Sequence, residues 1–325
     1  MCGRKTGKED FMSQAASSGY NDRKRKKRTR SQAPVAFVFF VTLIIFCGVF
    51  GVFAKIIVDK VSNNNGGGTD VSGSYIDSYN TLYARVNNKD VLSDLSVIRI
   101  CPEQNRIIVI PMSALTMSVP DGGKTFREVF DEGGIARLKT AVDGTFGIST
   151  DYYATMTNDA FEGIADIVGG FSYAPDEELY TLDPDNDRND ISYRAGKTVL
   201  LSGRQIRLIC QSAEFSNGKQ GNMEFLGQAL VGIINNGFDQ VEITTSSLDV
   251  IYNKIFNGSR TNLSENEYRE HRAYIREMLA RQERPAESLI PRGTWMDAEH
   301  LAISDEFRQD IYNLMEGSKS GQKAA

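Results

Sequence analysis

Residues 96–111 read SVIRICPEQNRIIVIP. Two runs of β-branched and apolar residues flank Pro102, Glu103, Gln104 and Asn105, with proline well placed for a turn, so the stretch predicts a β-hairpin. Its second arm, RIIVIPMSAL at 106–115, is expected to end as a strand at Pro111 and to run on into Met112 and Ser113.

Downstream of the hairpin the apolar spacing changes from two to three and four. TFREVFDEGG puts Phe126, Val129 and Phe130 on one helical face, with Thr125 as N-cap and a stop at Gly133 and Gly134, and a second helix groups Ile135, Leu138 and Val142. In NDAFEGIADIVGG, Asn158 is the expected cap and Phe161, Ile164, Ala165 and Val168 form an i, i+3, i+4, i+7 stripe. SGRQIRLICQ at 202–211 reads as a strand. NMEFLGQALVGII follows as a helix with Phe225, Leu226, Ala229, Leu230 and Ile233 on one face, and VEITT at 241–245 as another strand. Ser264 and Glu267 make a capping box, and Asp305 and Glu306 suit the first turn of a last helix bearing Phe307, Ile311 and Leu314. Strands and helices alternate without a repeat, which predicts an α/β domain with helices on both faces of a sheet.

Upstream, VAFVFFVTLIIFCGVFGVFA, Val35 to Ala54, is twenty residues without a charge. About twenty residues of helix span a bilayer core, so residues 35–58 are expected to form one transmembrane helix. A run apolar on every side has no solvent face, which argues against a buried core helix, and no small-residue cleavage site precedes the charged KIIVDK. The chain has a formal net charge of −5, but residues 1–34 hold ten Lys or Arg against three Asp or Glu, +7, leaving −12 for the rest. RKRKKRTR at 23–30 marks the cytoplasmic side. Residues 1–34 are then a basic cytoplasmic tail, 59–71, including SNNNGGGTD, a flexible linker, 72–317 an extracytoplasmic domain, and 318–325 a disordered tail. The acidic remainder argues against nucleic acid as a partner.

Other features point to little chemistry. Cys101 and Cys210 fall in strand-like runs of the outer domain; a disulfide is possible there, though two buried thiols are favoured over it. The cysteines and the two histidines, His271 and His300, lack metal-ligand spacing and give no Ser/His/Asp set. DPDNDRND offers Asp183, Asp185 and Asp187 in the order of a calcium loop, but Arg188 and Arg194 stand where the turn glycine and the bidentate glutamate belong, so a solvated acidic loop is expected. Gly169 and Gly170 read as a helix C-cap. Asn257 and Asn262 are formal glycosylation acceptors, meaningful only in a eukaryotic host.

The order VIRICPEQNRIIVIP, DGGKTFREVFDEGG, GISTDYYATMTNDAFEGIADIVGGFSYAP and YRAGKTVLLSGRQIRLICQ, behind an N-terminal anchor, resembles the LytR-CpsA-Psr family of bacterial cell-envelope proteins from about Asp94 to about Ile234. The resemblance implies an α-β-α sandwich around a central sheet, a hydrophobic tunnel for a polyprenyl chain, and phosphates held by arginines and an acidic residue with magnesium. It also implies transfer of a glycopolymer from its lipid carrier to peptidoglycan. Bidentate guanidinium groups suit such phosphate oxygens.

Matched to the family pattern, the Arg-Asp after the hairpin strand is replaced by Met112 and Ser113. Its Arg-x-Arg falls on Gln211 and Ala213, and the following Asp, Arg, Arg and Gln slots on Ser216, Lys219, Asn222 and Met223. Lys124 keeps its slot, while Phe126 takes that of an asparagine. Lys124 and Lys219 are thus the expected phosphate-binding cations, with Arg127, Arg204 and Arg207 as candidates for relocated charge. Arg204 and Arg207 are otherwise expected to be solvated on the surface. Losing one preorganised donor costs about 2.7–4 kcal/mol of transition-state stabilisation, so loss of several implies a degenerate transferase. No cofactor is expected, except magnesium if phosphate binding is retained, and no catalytic residue is assigned. The expected role is a single-pass protein of the bacterial cell membrane that binds a polyprenyl-phosphate lipid or an envelope glycopolymer. A signalling or scaffold partner and an active transferase follow in that order.

Overall fold

The computed structural model describes residues 78–182, 191–256 and 260–320, all within a compact unit beginning at Ser74. The predicted span at 35–58, the linker at 59–71, Asp183, Asp185, Asp187 and Asn257 lie outside the described residues. Among the described residues no helix is long and apolar enough to cross a membrane.

In chain order come β1 (Tyr79–Val86), β2 (Leu92–Cys101), β3 (Arg106–Ser113), α1 (Phe126–Phe146), β4 (Tyr152–Thr157) and α2 (Asn158–Ile167). Four short strands follow, β5 (Phe171–Tyr173), β6 (Leu179–Thr181), β7 (Ile191–Tyr193) and β8 (Val199–Leu201), then α3 (Gly203–Ser212), α4 (Lys219–Asp239), α5 (Val241–Phe256) and α6 (Glu265–Ala280). The chain closes with β9 (Ala286–Ser288), β10 (Gly293–Trp295), β11 (Leu301–Ile303) and α7 (Asp305–Ser320). A five-stranded sheet runs in the order β4-β1-β2-β3-β9, with β5-β8, β6-β7 and β10-β11 as separate ribbons.

The predicted hairpin is β2–β3. It pairs antiparallel with Cys101 opposite Arg106, and the Asn105 N–H donates to the Pro102 carbonyl at 3.1 Å across the turn. The period of two sorts its side chains onto two faces. Leu95, Val97, Ile108, Ile110 and Met112 join Phe126, Leu138 and Phe146 of α1 and Phe307 of α7 in a first core. On the opposite face, Ile98, Ile100 and Ile107 meet Phe238 of α4 and Met278 and Leu279 of α6. The sheet is therefore covered on both sides, as the α/β reading expects.

Pro111 does not end the strand. The Ile107 N–H and the Val109 carbonyl both bond toward the β9 side, so Pro111, two positions on, turns its missing donor the same way, past the last residue of β9. A proline is tolerated in a strand where no neighbour needs its N–H.

The caps at Thr125 and Ser264 are capping boxes, each with its hydroxyl and a glutamate exchanging bonds with the backbone. The predicted break at Gly133–Gly134 is a kink at Gly134, φ 67° and ψ −164°, a conformation open to glycine. Cap assignment fails at α2: Thr157, not Asn158, accepts from the Ala160 N–H at 3.2 Å, because Asn158 is committed to Arg85.

Two predicted strands are helices. SGRQIRLICQ is α3, opened by a capping box between Ser202 and Gln205, and Ile206, Ile209 and Ala213 bury at helical spacing. VEITT begins α5, where the Thr244 N–H already bonds to the Gln240 carbonyl at 2.9 Å; β-branched residues lower helix propensity only slightly, and packing on α2 and β4 outweighs it. Cys210 accordingly lies on a helix, not a strand, and Cys101 and Cys210 are both free thiols.

A second core joins Phe161 and Ala165 of α2, Ile206 and Ile209 of α3, and Phe225 and Ala229 of α4. After α2 the chain turns at Gly169 and Gly170, both at positive φ. A Cβ on Gly170 would stand 1.9 Å from the Leu201 carbonyl oxygen. This end of α2 is closed from far along the chain: Asn236 donates to the Gly170 carbonyl at 3.0 Å and Gln240 to that of Val168 at 2.6 Å.

Candidate functional site

Where β3 ends, a cavity of about 810 Å³ opens at the seam between the first and second cores. Met112 and Ser113 of β3, Ser93 and Asp94 of β2, the first turn of α1, Gln211 of α3, the first turns of α4 and the turn between β10 and β11 all contribute to its wall.

Of the positions singled out in the sequence, Met112, Ser113, Gln211, Lys219, Asn222 and Met223 converge here. Met112 is almost fully buried and belongs also to the first core. Ser113 accepts at Oγ from the Leu115 N–H at 3.1 Å. Asn222 donates to the Ala213 carbonyl at 3.0 Å and so ties α4 to the end of α3. Lys219 stands in the first turn of α4, which opens at Gly218 with no side-chain cap. An ammonium beside uncapped N–H groups at the positive end of a helix favours an anion. Arg127 also lines the cavity, its Nε donating to the Leu92 carbonyl at 3.1 Å.

The remaining positions lie elsewhere. Lys124 is 45% exposed and pairs with Glu132 at 2.5 Å. Ala213 is buried at the end of α3. Ser216 binds Glu177 through both its N–H and its hydroxyl, at 3.0 and 3.1 Å. Phe126 is core. Arg204 and Arg207 sit on α3, not on a strand, and neither lines the cavity. Arg207 is not solvated: only 8% exposed, it is ion-paired with Glu162 and donates to Gln211 Oε1 at 2.9 Å.

A second buried guanidinium stands behind the cavity wall, and sequence reasoning missed it. Arg85 of β1 is 3% exposed and lies directly opposite Asp94 of β2, itself 16% exposed. Its Nε donates to one oxygen of Asp94 at 3.0 Å and its Nη2 to the other. Its Nη1 donates to Asn158 at 3.0 Å, and the guanidinium lies 5.1 Å from the Phe161 ring centroid. Burial alone would lower the Arg85 pKa, but the Asp94 carboxylate outweighs it and raises it. The available signal was a single arginine inside the apolar run TLYARV. Gln211 lies between the two pairs, accepting from Arg207 and donating to Asn158 at 3.4 Å.

The electrostatics of the cavity are mixed. Asp94, Glu128 and Glu299 face the cavity against Arg127 and Lys219 as permanent cations. The Thr125 backbone and hydroxyl bonds hold Glu128 below the usual carboxylate range. His300 lines the cavity too, its Nδ1 2.9 Å from each oxygen of Asp297. Burial pushes the Cys210 thiol up to about 12, so it is no thiolate nucleophile.

The residues do not fit magnesium. Arg85 fills one acceptor position on each oxygen of Asp94, Thr125 holds one oxygen of Glu128, and among the described residues no group of three or more His, Cys, Asp or Glu is placed to hold a metal. Unit charges 4 Å apart repel by about 4 kcal/mol at an effective dielectric of 20, and a dication beside Arg85 would roughly double that.

No protein-family model matches the sequence, and no curated protein matches it. Solved structures do match its fold. A protein from Eubacterium siraeum, described as a candidate transcription regulator, is 16% identical with a TM-score of 0.65, over 77% of this chain and 96% of that one. TagV of B. subtilis is 15% identical with a TM-score of 0.59, over 74% and 96%. TagT, solved from B. subtilis and also bound to LIIa-WTA, is in that complex 12% identical with a TM-score of 0.56, over 78% and 97%. TagV and TagT are LytR-CpsA-Psr proteins, and the domain described here has the fold of that family.

Proposed function

We propose that the chain is a single-pass protein of the bacterial cell membrane whose outer domain binds a polyprenyl-phosphate-linked envelope glycopolymer, with transfer lost or weak. The observation that carries this reading is the convergence of Met112, Ser113, Gln211, Lys219, Asn222 and Met223 on one cavity. These six are among the positions matched to the family's pyrophosphate site, and none of them is an arginine, whereas Lys124, Ala213 and Ser216 do not line the cavity. Apolar Leu92, Met112, Leu115 and Leu226 supply a wall for hydrocarbon, and Arg127 and Lys219 remain for a phosphate. Support for the anchor and its orientation comes from the uncharged run at 35–54 and the basic run before it. Support for a glycopolymer comes from TagT, a protein of the same fold solved bound to LIIa-WTA.

The test is native mass spectrometry of the full chain released gently from a bacterial membrane, with and without added polyprenyl phosphate. A retained mass, reduced by Lys219→Ala and Arg127→Ala while the melting temperature holds, is the expected result. An unchanged mass in every condition overturns the reading and leaves a protein partner. That Arg127 and Lys219 share the cavity also favours residual transfer. Release of polyprenyl phosphate from a lipid-linked glycopolymer, abolished by Lys219→Ala, would establish it.

A further inference from the structure

Asp94 and Ser113 are direct partners across β2 and β3, and both line the cavity. Arg85 uses one acceptor position on each oxygen of Asp94, and an ionised carboxylate has about four. Acceptor capacity thus remains on a group that is partly exposed in the cavity wall. Beside it, the Ser113 hydroxyl accepts from the Leu115 N–H, which leaves its own hydrogen to donate. An acceptor and a donor side by side match a hydroxyl group, which gives one hydrogen bond and takes another.

We propose that Arg85 stands in the place of a divalent cation: it fixes the Asp94 carboxylate in position as an acceptor, so that the cavity binds saccharide hydroxyls directly and without metal. Arg85 acts through Asp94 and is a positioning residue. Asn158 and the Phe161 ring also contact its guanidinium, so the carboxylate is held before any ligand arrives. Preorganised acceptors cost a ligand less ordering on binding. The saccharide rests on the glycopolymer reading above; the exclusion of metal does not.

The first experiment titrates magnesium into the full chain in detergent, by calorimetry and by thermal melting against EDTA. The expected result is no saturable heat and no shift in melting temperature. Arg85→Met should uncover Asp94, so that magnesium raises the melting temperature, and adding Asp94→Asn should remove that response. Saturable magnesium binding by the unaltered chain, lost in Asp94→Asn, overturns the proposal, and this arm stands even if Arg85→Met does not fold. The second experiment compares, in EDTA, retention of a polyprenyl phosphate carrying a disaccharide with that of bare polyprenyl phosphate. At least tenfold stronger retention of the disaccharide form, abolished by Asp94→Asn, is expected. Equal retention overturns the saccharide assignment. Retention of neither lipid removes the ligand reading and leaves the magnesium result to judge Arg85.

Discussion

The two cores that meet at the cavity are built on different terms. The first is apolar throughout, with sheet residues such as Leu95 and Ile110 packed on Phe126, Leu138 and Phe146. The second, among α2, α3 and α4, is backed on its cavity side by the guanidinium–carboxylate pairs Arg85–Asp94 and Arg207–Glu162 and the amides of Asn158 and Gln211. Burial of hydrocarbon stabilises in proportion to area. A buried ion pair roughly breaks even, and becomes costly when one partner is lost. The first core should therefore lose stability in proportion to volume removed, and the second according to whether charges are left paired.

The largest effect expected is Phe146→Ala, which opens a cavity in the fully buried first core and should cost about 3–5 kcal/mol in urea unfolding. Next comes Glu162→Ala, which strands Arg207. Because Glu162 is 21% exposed, the lower end of the range, about 3 kcal/mol, is expected, and Arg207→Met in the same chain should recover most of it. If the double variant is no more stable than Glu162→Ala, the distinction between the cores collapses. Thr125→Ala, which removes one half of the α1 capping box, should cost about 1 kcal/mol by the same measurement.

The smallest effect is one of pH. His271 of α6 stacks on Tyr79 with ring centroids 3.8 Å apart, and burial lowers its pKa against the pull of Glu267, Glu270 and Asp151. Its unfolded counterpart takes up protons below about pH 6.5, whereas the folded ring resists them. Its contribution is complete above that pH and is lost as pH falls toward the folded value. The urea midpoint should drop below about pH 6.5, and His271→Gln should flatten that part of the profile. Asp121, Asp239 and Asp297, held below their usual range by hydrogen bonds from Ser118, Arg284 and the Glu299 backbone, lose their contribution only at lower pH, below about 4.

What could be read in the chain was what local rules decide. Alternation and a Pro-Glu-Gln-Asn turn specified the β2–β3 hairpin, and Thr125 as a cap and the Ser264–Glu267 box specified helix starts. α3 and α5 were misread because Ile206, Leu208, Ile209, Val241 and Ile243 suit a strand equally well, although Ser202 and Gln205 carried the same capping signature as the correctly read start of α6. The cavity wall was partly legible, because residues placed by the hairpin and by α4 did assemble. The buried pairs were not. Arg85 meets Asp94 only once the register of β1 on β2 is set, and Arg207 meets Glu162 only once α3 packs on α2. No spacing along the chain encodes either.

The end of α2 bears on how the chain folds. The Val168 and Gly170 carbonyls, just past its last residue, are closed by Gln240 and Asn236, so on a growing chain they stay bonded to water until α4 has been made and has docked. The hairpin of β2 and β3 needs only its neighbours in sequence. Contacts that close long loops form slowly, so the β2–β3 hairpin should acquire protection from hydrogen exchange first. The second core, and with it the cavity, would then complete the fold in a later step.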